Sequence, residues 1–238
     1  MGEKASININ GKEMSFDSER KLIDVLRNDC KCKSVKDGCS EGACGTCTVL
    51  IDGKPMRACI QTIGRLKGKK VQTIEGFTKR ERDVYSYAFA ICGAVQCGFC
   101  IPGMVVSAKG LIDINPNPSR IEIVAAIKNN ICRCTGYKKI IDAIELSAKM
   151  LRENIEVKDY KGKIKVGDKR IARIDAKEKA LGEGVYCDDI EIEGMIYGAA
   201  VRTKYPRAKI LKIDISEAKK LNGVVDIITA KDLPASHK

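Results

Sequence analysis

The chain has 238 residues and a formal net charge of +12, with twelve cysteines, no tryptophan and an aromatic content of 5%. Its Lys and Arg residues are dispersed and match no nucleic-acid-binding motif, so we expect no nucleic-acid partner. No apolar run approaches the ~20 residues that a transmembrane helix needs, and the first residues lack the apolar core of a secretory signal, so we expect no membrane association. These features predict a cytoplasmic protein whose reduced thiols bind metal or take part in redox chemistry.

Residues 1–76 have the pattern of a small β-rich domain. An alternation of apolar and polar residues is interrupted by Asn10-Gly11, a dipeptide typical of a hairpin turn. A short apolar helical face follows at residues 22–26, and residues 48–51 and 71–74 have the composition of strands. The sequence therefore predicts a mixed sheet crossed by one helix.

The apolar period becomes helical from Asp83, and residues 77–155 contain four predicted helices. The third helix begins at a capping box, Ser119 with Glu122, and the fourth runs through residues 140–151. Four short helices predict a compact bundle.

The end of the chain contains a linker and a third module. Residues 156–170 are dominated by Lys, Asp, Glu and Gly and predict a linker. Residues 171–238 predict a short α/β module, with strands at 196–201 and 210–213 and a helix near 216–221. The predicted fold class is α+β.

The first cysteine set has the spacing C-x4-C-x2-C-x11-C, which resembles the plant-type [2Fe–2S] pattern. Glycines at positions 38, 42 and 45 allow the backbone to approach the cluster and to turn its N–H groups towards the sulfurs. A structural zinc site and free buried thiols are the alternatives, but zinc sites favour paired C-x2–4-C units. The predicted ligands are Cys39, Cys44, Cys47 and Cys59.

The second cysteine set comprises Cys97, Cys100, Cys132 and Cys134, and each of its two pairs lies at a helix junction. By itself this spacing leaves zinc open. Beside a ferredoxin-like domain, a second [2Fe–2S] cluster is the preferred interpretation. We assign none of the remaining cysteines as a ligand: Cys92 is predicted in the core, Cys30 and Cys32 as exposed thiols, and Cys187 in the last module.

Three stretches, GCSEGACGTCTVLIDG, GAVQCGFCIPGMVVSAKGL and NNICRCTGYKKI, resemble the iron–sulfur portion of the molybdenum hydroxylases, the xanthine dehydrogenase and aldehyde oxidoreductase family. The resemblance covers residues 4–152. It implies a β-grasp ferredoxin-like domain over residues 1–76 and a helical [2Fe–2S]-binding domain over residues 77–155. RIDAKEKALGEGVYCDDI and RTKYPRAKILKIDISEA are similar to the start of the molybdenum-binding portion, which implies an N-terminal fragment of the hammerhead domain over residues 171–238.

In this family, electrons leave molybdopterin, cross the helical-domain cluster and then the ferredoxin-like cluster, and reach FAD or an external acceptor. The resemblance implies that the second cysteine set holds the cluster nearer molybdenum and that the first set holds the outer cluster. It also implies that Gln96 and Cys134 contact the molybdopterin. No catalytic residue is implied in this chain.

The resemblance implies two partners, a molybdenum-binding large subunit and an FAD-binding medium subunit. The sequence has no counterpart of the family's later pterin-binding segments or base glutamate, so we expect no hydroxylation by this chain alone. We also expect the third module to leave strand edges and apolar faces unpaired, and therefore either to pack against a separate chain or to represent a split or truncated reading frame. A zinc-stapled interaction protein and a stand-alone [2Fe–2S] redox carrier are the alternative hypotheses.

Overall fold

The computed structural model describes residues 3–157 and 172–234 and divides into two units, Met1–Gly184 and Val185–Lys238. The first unit combines one mixed sheet with several helices, which confirms the predicted α+β class. The predicted linker, 156–170, lies outside the described residues except for its first two positions. No helix in the described ranges is long and apolar enough to cross a bilayer.

The sheet has five strands, β1 Lys4–Ile9, β2 Lys12–Asp17, β3 Thr48–Ile51, β4 Lys54–Arg57 and β5 Lys70–Gln72, in the order β2-β1-β5-β3-β4. Strands β1 and β5 run parallel, and the other neighbouring strands run antiparallel. The predicted hairpin turn is confirmed, since Asn10 and Gly11 have φ values of 50° and 85°, the positive values that such a turn needs.

Strand β3 is buried on both faces of the sheet. Val49 and Ile51 join a core that includes the first helical segment, which consists of one α turn, α1 Leu22–Asp24, followed by a π turn, Val25–Asp29. Leu50 points to the opposite face and joins the core of the helical part. Strand β3 therefore contributes side chains to both apolar cores of the first unit.

The four predicted helices are present in the first unit: α2 Lys79–Ile91, α3 Ile101–Ile112, α4 Arg120–Ile127 and α5 Lys138–Arg152. The capping box of Ser119 and Glu122 is confirmed, and Thr78 forms another with Glu81 at the start of α2. Helix α3 is almost entirely buried and lies against the sheet. Gly110 permits this contact, because a Cβ there would lie 2.6 Å from the Pro55 side chain.

A short helix, α6 Ala176–Ala180, completes the first unit. Ala176, Ala180 and Leu181 are buried in the same core as α2 and α3. The sequence pattern does not predict helix α6, because the lysine-rich sequence of the helix has only a narrow apolar face.

The second unit differs from the prediction. Within its described residues, the structure has 3-10 turns at Cys187–Asp189 and Ala218–Lys220, and the strands predicted at 196–201 and 210–213 are not formed. The predicted helix near 216–221 is reduced to the second of these turns. Apolar side chains such as Val201 and Leu211 are exposed. A strand without a neighbour leaves its backbone groups unpaired and its apolar face in water, so local propensity alone does not stabilise it.

Candidate metal centres

The first cysteine set is carried by the loop before β3 and by the turn after β4. Gly42 and Gly45 have φ values of +75° and +73°, a backbone conformation that favours glycine. Gly38 has another role: a Cβ there would lie 3.2 Å from the Sγ atom of Cys44. The expected function of the three glycines, turning the loop and allowing close approach, agrees with this geometry.

Backbone N–H groups in this loop point at a sulfur. The amides of Glu41 and Cys44 donate to the Sγ atom of Cys39 at 3.5 and 3.4 Å. These hydrogen bonds, that of Cys44 first, lower the pKa of Cys39 to about 7. The loop therefore favours a thiolate, which is the form that binds metal.

The other two thiols of the first set lie in the protein interior. Cys47 and Cys59 are each 2% exposed, and their side chains interact. Burial, reinforced by the neighbouring Cys59 thiol, raises the pKa of Cys47 to about 12. A bound cation reverses this effect, since a metal deprotonates the thiol that coordinates it.

The second cysteine set forms two side-chain contacts at the start of α3 and before α5. The Sγ atoms of Cys97 and Cys134 are 3.6 Å apart, and both side chains are exposed. Cys100 is buried at the N-cap of α3, where its thiol interacts with that of Cys132. Burial raises the pKa of Cys100, and the charges of Cys132 and Cys97 act in the same direction. The interactions of Cys100 with both Cys132 and Cys97 link the two contacts.

Two polar side chains beside Cys132 were not predicted. The hydroxyl of Thr135 lies 3.1 Å from the Cys132 sulfur. Burial opposes ionisation of this thiol, but hydrogen bonds headed by that of Thr135 outweigh it and lower the pKa of Cys132. The Tyr137 hydroxyl accepts a hydrogen bond from the Cys132 amide at 2.8 Å and donates to the Asn130 carbonyl at 3.2 Å. The cysteine spacing does not indicate Thr135 and Tyr137, because these residues stabilise the loop and are not themselves predicted ligands.

The sulfurs come together in pairs and not in fours. Among residues 3–157 and 172–234, no three His, Cys, Asp or Glu side chains are arranged around a position for a single ion. A structural zinc site needs four ligands around one point, about 2.3 Å from the ion. A [2Fe–2S] cluster has two irons, each held by two protein ligands. The paired thiols, the amides that donate to Cys39 and the glycines of the loop fit a [2Fe–2S] cluster, and the ligand assignment remains a prediction.

The two cysteine sets are joined by a direct backbone hydrogen bond. The amide of Ile131, next to Cys132, donates to the carbonyl of Cys44 at 2.8 Å. The neighbouring Asn130 is 3% exposed, and its side chain bonds to the carbonyl of Gly45. The loop of the first set and the loop of the second set are therefore in contact.

The remaining candidate residues differ in exposure. Gln96 is exposed beside Cys97, so both residues named for a molybdopterin contact, Gln96 and Cys134, lie at the surface. The prediction that Cys32 is an exposed thiol is wrong: the side chain is 3% exposed and the Asn10 amide donates to it. Cys30 and Cys92 are half-buried, and Cys187 is exposed.

Comparison with sequence families gives three matches. Residues 13–84 match the family described as "2Fe-2S iron-sulfur cluster binding domain", and residues 73–145 match "[2Fe-2S] binding domain". Residues 181–238 match "Aldehyde oxidase and xanthine dehydrogenase, a/b hammerhead domain". The three matches follow one another along the chain.

Individual relatives agree with these families. The nicotinate dehydrogenase small FeS subunit of Eubacterium barkeri is 43% identical over 58% of this chain and 90% of its own length. The aldehyde oxidoreductase of Megalodesulfovibrio gigas is 36% identical over 98% of this chain. The crystal structure of the aldehyde oxidoreductase from Desulfovibrio desulfuricans is 37% identical over 98% of this chain, with a TM-score of 0.80. This chain spans 27% of the length of each of these two aldehyde oxidoreductases.

The fold, the cysteine spacing and the relatives all indicate the same family. The chain belongs to the molybdenum hydroxylase family of xanthine dehydrogenases and aldehyde oxidoreductases, and it contains that family's two [2Fe–2S]-binding sequences followed by hammerhead sequence.

Proposed function

We propose that this chain is the electron-transfer component of a molybdenum hydroxylase, an enzyme that oxidises an aldehyde or a nitrogen heterocycle. In this proposal, residues 1–76 form a β-grasp ferredoxin domain and residues 77–155 a helical cluster domain. Residues 156–170 form a linker, and residues 171–238 are the start of a hammerhead domain. The chain operates in the cytoplasm, where thiols stay reduced.

One observation carries this proposal: two four-cysteine sets lie in one compact unit and are joined by the hydrogen bond between Ile131 and Cys44. The function of a zinc-stapled interaction protein does not require direct contact between its two cysteine loops. An electron carrier does, because electrons must pass from one redox centre to the next.

The residues have separate tasks. Cys97, Cys100, Cys132 and Cys134 would hold the cluster nearer molybdenum, and Cys39, Cys44, Cys47 and Cys59 would hold the outer one. When bound, each [2Fe–2S] cluster takes up and releases a single electron. Hydrogen bonds to sulfur and burial adjust its potential. The amides of Glu41 and Cys44 and the hydroxyl of Thr135 are suited to that task.

The exposed face that contains Gln96, Cys97 and Cys134 is the proposed side for the molybdopterin of a large subunit. The Gln96 amide can donate and accept hydrogen bonds, and the Cys134 sulfur can accept them, so both groups can bind the polar edge of a pterin. Electrons would then reach the outer cluster and leave to FAD on a medium subunit or to an external acceptor. The similar E. barkeri protein is a small FeS subunit, and this similarity supports the proposal that the chain binds a large subunit.

Metal analysis of the anaerobically purified chain tests the proposal. Two such clusters require about four iron and about four acid-labile sulfide per chain, with two distinct EPR signals after reduction. Stoichiometric zinc with iron near zero would contradict it and favour the zinc-stapled alternative. Co-purification of a large molybdenum-containing chain from the native host separates a subunit from a stand-alone carrier.

A further inference from the structure

The contact between the two cysteine loops is built around one buried amide. Asn130 is 3% exposed, and its Nδ2 atom donates to the Gly45 carbonyl at 2.8 Å and to the Thr48 hydroxyl at 3.2 Å. Its Oδ1 atom accepts from the Ser107 hydroxyl at 2.8 Å. Gly45 and Thr48 flank Cys47, Asn130 lies two residues before Cys132, and Ser107 is on α3. One side chain thus connects both cysteine loops to the central helix.

The surrounding backbone leaves no free space at this contact. A Cβ on Gly45 would overlap the Asn129 carbonyl. A Cβ on Gly103, in the first turn of α3, would lie 2.7 Å from the Gly45 carbonyl and 2.8 Å from that of Thr46. Contacts below 3.0 Å require atoms to move. The two loops therefore meet at van der Waals distance at Gly45, and Gly103 allows α3 to approach the same segment equally closely.

Such a buried polar contact defines geometry in a way that apolar packing does not. Each hydrogen bond requires a particular distance and direction, and a buried polar group that loses its partner is costly. The Asn130 amide satisfies donors and acceptors from three segments at once. If the two loops separated by one ångström, the bonds from Asn130 to Gly45 and Thr48 would both exceed hydrogen-bonding distance.

We infer that Asn130 is a positioning residue that sets the separation and relative orientation of the two clusters, by locking the Cys44–Cys47 loop to the loop that contains Cys132. This inference rests on the proposed function, since it requires two clusters. The hydrogen bond from Ile131 to Cys44 involves the residue next to Asn130, so the same side chain also holds this direct backbone link between the two loops in place.

EPR spectroscopy of the fully reduced holoprotein tests the inference. Two reduced clusters held close together interact magnetically and split each other's signals, and this interaction falls with the inverse cube of their separation. We expect Asn130→Ala to lose the resolved splitting while both cluster signals and the full iron content remain. Asn129→Ala is the matched control, because Asn129 is the adjacent residue of the same type and its side chain is exposed. It should retain the wild-type splitting.

A milder variant covers the case in which Asn130→Ala does not assemble. Ser107→Ala removes the donor to the Asn130 carbonyl oxygen and places a good helix former on α3. We expect a reduced splitting at full iron content. Wild-type splitting in Ser107→Ala, and in Asn130→Ala where it assembles, overturns the inference, as does a wild-type protein with four iron whose clusters are magnetically independent. The last outcome leaves the proposed function intact, whereas absence of iron contradicts the proposed function itself.

Discussion

Lys109 is a buried charge at the contact between α3 and α2, and its replacement gives a quantitative test of the packing. The side chain is 8% exposed, with its Nζ atom 2.5 Å from Oε1 of Glu81 and 2.9 Å from Oδ1 of Asp113. It also lies 5.3 Å from the centre of the Phe77 ring. Lys109→Met keeps the apolar stem and removes the charge.

The expected loss of stability depends on the hydrogen-bond partners that Glu81 and Asp113 keep when Lys109 is replaced. Removing one partner of a fully buried ion pair costs about 3–5 kcal/mol. Glu81 keeps two hydrogen bonds from Thr78 to its other oxygen, at 2.7 and 2.8 Å, and Asp113 is 47% exposed, so water replaces its lost partner. We therefore expect a loss of about 2 kcal/mol in the free energy of unfolding. For a unit of this size, that corresponds to a decrease of roughly 4–8 °C in the apparent Tm.

Anaerobic thermal melts at a fixed scan rate provide the assay, because a protein with bound clusters need not unfold reversibly. Lys79→Met is the control. Its ammonium pairs with Asp83 at 2.7 Å, but the side chain is 91% exposed, and the Tm should change by less than about 1 °C. An equal decrease in both variants, or no decrease in Lys109→Met, would refute the reasoning.

The pH dependence of this difference has a definite sign. Burial opposes ionisation of both Glu81 and Lys109. Hydrogen bonds from Lys109 and Thr78 outweigh burial and hold the pKa of Glu81 below 4.5. Hydrogen bonds to Glu81 and Asp113 likewise hold the pKa of Lys109 above 10.5. The contribution of Glu81 is present above its unfolded pKa and is lost as the pH falls through its folded pKa. The contribution of Lys109 is lost only as the pH rises through its raised pKa. The Tm difference should therefore stay constant between about pH 6 and pH 9.

Two further predictions concern the cysteines. Cys59→Ser removes one ligand of the outer set and should reduce iron from about four to about two per chain, with the EPR signal of the other cluster retained. Loss of both EPR signals would show that the two clusters do not assemble independently. A double variant, Cys92→Ala with Cys187→Ser, should keep about four iron per chain by metal analysis, because neither thiol belongs to a ligand set. A loss of iron in this variant would show that the assignment of ligands is wrong.

Local features were predictable because a few neighbouring residues determine them. The turn at Asn10-Gly11 and the capping box of Ser119 and Glu122 follow from short-range backbone geometry and were confirmed. The cysteine spacings also indicated iron–sulfur chemistry correctly, as the family matches show. Cys32 was misjudged, because its lysine-rich neighbours suggested exposure while the Asn10 side chain from the hairpin turn covers it.

Features that join distant segments were not predictable from pattern. The strands expected at 196–201 and 210–213 have the right composition, but composition provides no pairing neighbour. Helix α6 was overlooked, since only its burial against α2 and α3 distinguishes it from a polar turn.

The sequence by itself determined the hairpin turn, the helix cap and the iron–sulfur spacing of the thiols, because these features depend on residues a few positions apart. Only the tertiary structure decided how the two cysteine loops meet. Asn130 and Gly45 are 85 positions apart, and no local pattern relates a buried amide to a carbonyl that it reaches only after the helices have packed on the sheet.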